Sequence, residues 1–184
     1  MIELLFALRE FCLDAVKDLS LESKDRGELP AVRGYIGDIP GAEDMPPASD
    51  FPLLIFRLIN FEDPESSSTS VLTVRIIAGV YCSTESSDDI CSPAYHDLLN
   101  ILQRLRHALL KDGDMGDRWR RVGKVEGGPF EYQAYPYFFG DIIVQYDERQ
   151  IQEEFSQEEE IRINGTAYGN DDTENWQYPQ PAHK

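Results

Sequence analysis

Ten residues constrain this chain more than any others. Positions 72–81 place Leu72, Val74, Ile76, Ala78 and Val80 on one side of an extended backbone and Thr73, Arg75, Ile77, Gly79 and Tyr81 on the other. A period of two with one wholly apolar side is a strand committed to a core. A little further on the period changes. Across 92–111, Leu98, Leu102, Leu105 and Leu109 fall within about 60° of one another on a helical wheel, with Tyr95 and Leu99 beside them. Ser92 supplies an N-cap, Pro93 fits the first turn, where its missing N–H costs nothing, and Gly113 follows the last turn. Arg104, Arg106 and Lys111 sit in the second half, where positive charge complements the helix dipole. The apolar strand face and the leucine stripe are predicted to meet.

The remaining elements follow from the same patterns. Leu5, Leu8, Cys12, Ala15 and Leu19 recur at three- and four-residue intervals, which predicts an amphipathic helix over 2–19. A short strand is expected over 32–36. A long loop follows over 37–50, where Pro40, Gly41, Pro46 and Pro47 oppose regular structure. The run 53–61 favours β structure and ends in the solvated 62–68, so it forms a hairpin with the alternating strand. Two more strands are expected over 118–125 and 137–146. The order helix, three strands, helix, two strands gives an α+β domain. Its mixed sheet is antiparallel-dominated, with both helices packed on one face.

Composition sets the division of the chain and several exclusions. The 184 residues fit one domain over 1–150 and an appended segment over 151–184. That segment holds eight Asp or Glu against one Arg and one Lys, and is expected to be mobile. The formal charge of -17 opposes any surface built to grip a phosphate backbone. No apolar run is long enough to span a membrane, and acidic Glu3 stands where a secretory signal carries base, so the expectation is a soluble cytosolic chain. Cys12, Cys82 and Cys91 are read as reduced structural thiols.

The chain shows no glycine-rich phosphate cradle, no nucleophile elbow and no zinc-binding histidine pair on a helix, and no cofactor is expected. His96 and His107 lie opposite the leucine stripe. Glu85, Asp88 and Asp89 lack the spacing of a calcium loop. What stands out instead is the aromatic run 129–140. Alternating Tyr and Phe there suit a half-buried strand, and Pro136 marks a strand entry or edge where aromatic side chains are open to a neighbour.

Three blocks carry a family resemblance: Arg75-Ile76-Ile77-Ala78-Gly79-Val80-Tyr81, then 95–106 beginning Tyr95-His96-Asp97-Leu98, then Tyr135-Pro136-Tyr137-Phe138-Phe139-Gly140. In this order they resemble the tail terminator, or tail-to-head joining, proteins of long-tailed phages with non-contractile tails and of related prophages. Family members usually carry Gly-Tyr before the helical Asp and Pro-Tyr-Trp-Phe-Gly later. This chain has Ala94-Tyr95 and Pro136-Tyr137-Phe138-Phe139-Gly140, and its acidic C-terminal segment has no counterpart in the resemblance.

The resemblance implies a structural virion protein and no reaction. A homo-hexameric ring caps the finished tail tube, meets the tube protein on one side and head–tail connector proteins on the other, and lets DNA pass without specific binding. The protein would then reside in the virion tail, and in the host cytoplasm during assembly, with no membrane contact. Tyr135, Tyr137, Phe139 and Trp119 are the expected subunit interface. Glu85, Asp88, Asp89, Glu43 and Asp44 are the expected lumen or partner loops. The alternatives are another neck or tail component, such as a head-closure or tube subunit, or, outside virion assembly, a small acidic enzyme or a DNA-mimicking inhibitor.

Overall fold

The alternating strand sits at the centre of a five-stranded sheet. The structure, a computed structural model, describes residues 1–21, 31–38, 46–63, 69–83 and 92–149. In chain order the elements are α1 (Ile2–Val16), β1 (Arg33–Ile36), β2 (Leu53–Glu62), β3 (Thr69–Tyr81), α2 (Pro93–Asp112), β4 (Trp119–Pro129) and β5 (Tyr137–Arg149), with a 3-10 turn at Ala48–Asp50. The sheet order is β1-β2-β3-β5-β4. Every neighbouring pair is antiparallel except β1 with β2, which is parallel. The expected α+β architecture is therefore present, with one parallel pair. The compact unit spans Met1–Gln150, and the expected tail over 151–184 lies outside the described residues.

The core forms where the two periodicities predicted. Leu72, Val74, Ile76, Ala78 and Val80 of β3 are buried with Leu54 and Phe56 of β2 and Ile142, Val144 and Tyr146 of β5. Both helices cover this face: Leu98, Ile101, Leu102, Leu105 and Leu109 come from α2, and Leu4, Leu5, Leu8, Cys12 and Val16 from α1. The buried α1 stripe is Leu4, Leu5, Leu8, Cys12 and Val16, with Ala15 half-buried on its flank; the helix ends at Val16, short of the expected 19, and Leu19 packs half-buried on the core from beyond that end. Strand β4 runs four residues past its expected end, to Pro129. Its register shifts between Val122 and Glu126, and Gly127 there has φ +146. A Cβ at Gly127 would meet the Asp141 carbonyl oxygen at 2.0 Å, so only glycine lets β4 lie this close to β5.

The core also holds polar atoms. Cys12 and Cys82 are free thiols, both buried, and Cys91 lies outside the described residues. Burial pushes the Cys12 thiol and the Tyr146 hydroxyl well above their ordinary values, and for Tyr146 neighbouring Cys12 adds to the rise. Tyr146 Oη and Trp119 Nε1 are buried without a hydrogen-bond partner among the described residues.

Candidate assembly surface

Opposite the helices the sheet has a second face, set by the other half of the β3 alternation. Its rows follow from the register: Tyr81 against Tyr137, Gly79 against Phe139, Ile77 against Asp141 and Arg75 against Ile143. At one end Phe51, Leu53 and Ile55 form a second small apolar cluster, joined by half-buried Tyr35, Ile77, Tyr81, Tyr137 and Phe139. The rings touch edge to face or tilted. Phe51 lies 5.3 Å from Tyr137 and 5.8 Å from Phe139, and Tyr81 lies 5.2 Å from Tyr137, between ring centroids. Such pairs add about 0.5–1.5 kcal/mol each beyond area burial. Gly79 makes room for them, since a Cβ there would meet Phe139 at 2.8 Å and Phe51 at 2.9 Å.

The connection carrying Pro136 is pinned beside this patch. Gln133 Nε2 donates to the carbonyls of Phe130 and Phe139 at 2.7 and 2.8 Å, and its Oε1 accepts from Phe139 N–H at 2.6 Å. One side chain thus satisfies three backbone groups where the strands part. Cys82 N–H donates to the Pro136 carbonyl, and Tyr135 Oη donates to the Ser83 carbonyl at 2.9 Å. Tyr135 stays half exposed, and Tyr132 beside it is 86% exposed.

Beyond the aromatics the same face turns charged. Arg57 and Arg75 lie directly opposite each other on β2 and β3. Like charges so placed repel, and each is neutralised separately. Arg75 Nε donates to Asp141 Oδ2 at 2.6 Å and its guanidinium lies 5.5 Å from the Phe130 ring centre. Arg57 donates to the Gly37 carbonyl at 2.6 Å and to Asp38 at 3.1 Å. Both arginines remain about 40% exposed, so these pairs mainly orient the side chains.

Of the residues expected at a subunit interface, Tyr135, Tyr137 and Phe139 gather around this patch, and Trp119 does not. Trp119 is only 7% exposed and belongs to the main core. The reason lies in its register: Trp119 opposes Glu148, two residues from Tyr146, so its ring points to the helix side. Arg118 closes over it, 5.0 Å from the ring centre, while bonding to Glu3 at 2.6 Å and to Glu148 at 2.7 and 3.1 Å. Glu43, Asp44, Glu85, Asp88 and Asp89 lie outside the described residues. Phe51, Tyr35 and Tyr81 belong to the patch and were not singled out from sequence; Tyr81 stood on the outward side of the alternation, which was the available signal.

Among the described residues no three His, Cys, Asp or Glu side chains are grouped to hold a metal ion, and no helix is long and apolar enough to cross a membrane. His107 lies in a shallow groove between the helices with Asp14, Asp18, Arg104 and Lys111. No protein-family model and no curated protein matches the chain.

Proposed function

We propose that this chain is a structural virion subunit that caps a completed phage tail tube as a ring and offers the surface that joins tail to head. The observation that carries the reading is the aromatic patch on the sheet face opposite both helices. Half-buried Tyr and Phe side chains, held on a rigid sheet and flanked by arginines, have the composition of interface cores, in which Tyr, Phe and Arg are enriched. The three blocks that resemble tail terminators support it further. They lie apart in sequence, yet β3 pairs with the start of β5 through Tyr81 and Tyr137, and α2 covers both strands. Each block therefore belongs to one continuous unit of structure.

The ring makes no bonds and needs no cofactor. Its work is the free energy of self-association and of docking on two neighbours, one the tube tip and one the head connector. Strong net negative charge suits a passage for DNA, because phosphate finds no adhesive lining. The test is native mass spectrometry and electron microscopy of the protein mixed with purified tail tubes. A ring confined to tube tips is expected. Incorporation along the tube length would point to a tube subunit instead, and no binding to tubes at all would refute the reading. Tyr135→Ser with Tyr137→Ser should weaken tip binding.

A further inference from the structure

The two edges of the sheet carry opposite charge at the same height. From this we infer that copies associate head to tail, the β4 edge of one against the open half of β2 in the next. The inference rests on the ring reading above and names its contact.

Strand β1 pairs only with Leu53–Phe56, so the rest of β2, from Arg57 to Glu62, has one side unpaired by any described strand. This half presents Ile59 at 49% and Phe61 at 56% exposure and ends in exposed Glu62 and Asp63. An unpaired edge with exposed apolar side chains is a template for another chain. At the far side of the sheet, 118–124 holds Arg118, Arg120, Arg121 and Lys124 without an acid, in a chain of net charge -17. Arg118 is engaged with Glu3 and Glu148, and Arg121 with the Gly123 carbonyl. The Arg120 side chain is exposed and makes no hydrogen bond or ion pair among the described residues, while its backbone pairs with Asp147 of β5.

Register fixes the heights. Glu62, Val71, Asp147 and Arg120 form one row across four strands, and Arg57, Arg75, Ile143 and Glu126 form another. A neighbour related by rotation about an axis along the strands keeps its rows level. Arg120 then comes opposite the neighbour's Glu62, and Glu126 opposite its Arg57, both pairs on the face that bears the aromatic patch. The strand directions agree, because β2 and β4 run antiparallel through the sheet. At its start β4 meets the neighbour through side chains. Asp114 already accepts from Arg121 N–H at 2.8 Å, and Met115 N–H donates to the Trp119 carbonyl at 2.9 Å. Because the two edges differ, the contact is heterologous, and the ring reading requires that its rotation close rather than run on as a filament.

Charge reversal tests this on the full-length chain. Arg120→Glu, and separately Glu62→Lys with Asp63→Lys, should each weaken self-association at least about tenfold, since like charges then face each other at every contact. Mixed in equal amounts, the two variants should associate again: the new carboxylate at position 120 of one faces the new ammonium at position 62 of the other, and the reverse contact keeps its native pair. Association is read by sedimentation velocity and native mass spectrometry. Melting temperatures should fall by no more than about 4 °C, since these side chains are exposed and Arg120→Glu sets a second carboxylate beside Asp147. If the parent assembles and the reversals leave it unchanged, or mixing fails to restore it, the edge contact is overturned and the ring reading stands. If the parent stays monomeric at every concentration, the edge contact falls, and the ring reading is decided separately by binding at tube tips.

Discussion

Replacing Trp119 by alanine separates a core tryptophan from an interface one, because the two roles predict different losses. Truncating a buried tryptophan typically costs about 3–5 kcal/mol. Here the indole is only 7% exposed and packed in the main core, so the full cost applies. Loss of the Arg118 stacking contact, 5.0 Å from the ring centre, adds about 0.5–1 kcal/mol to the deficit. The net expectation is a loss of about 3.5–6 kcal/mol, which in a domain of this size lowers Tm by roughly 7–24 °C. Trp119→Phe keeps an aromatic ring in the same pocket and should cost less than Trp119→Ala, about 1–2 kcal/mol. Circular dichroism melts and urea titration of dilute, monomeric protein provide the assay. A Trp119→Ala variant that melts within about 2 °C of the parent and loses only self-association would refute the core placement.

Three further outcomes follow from the same structure. Stability should fall as pH rises above about 9, since the unfolded chain deprotonates Cys12 and Tyr146 near their ordinary values of 9.0 and 10.0 while burial keeps both protonated in the fold. The loss approaches about 1.4 kcal/mol per pH unit for each group, and a melt series of Cys12→Ala with Tyr146→Phe should be flatter in that range. Gly79→Ala places a Cβ 2.8 Å from Phe139 and 2.9 Å from Phe51, and should cost about 1–3 kcal/mol with a changed near-ultraviolet aromatic spectrum. Asp141→Asn removes the carboxylate holding Arg75 opposite Arg57, and should cost up to about 1 kcal/mol, more at low salt than at high.

Most of the architecture was legible because two periods dominate it. The β3 alternation and the α2 leucine stripe named both layers of the core before any fold was known, and Pro93 and Gly113 bounded α2 as placed. What escaped was decided by contacts between distant segments. Trp119 looked like part of an aromatic surface, but strand register turns its ring toward the helices. The extension of β4 to Pro129 depends on glycine positions that read locally as a break. Phe51 sits outside every predicted strand, and reaches the aromatic patch only because β2 carries it beside Gly79. The row that aligns Glu62 with Arg120 joins residues 58 positions apart, and no local pattern encodes it.

The central claim is a closed ring that caps a tube. Its most direct test is the mass of the native particle formed by the full-length protein with tail-tube ends, imaged in parallel by electron microscopy. The account predicts a ring of six subunits at the tube tip. A stable twofold dimer under all conditions, with bare tube ends, would contradict it.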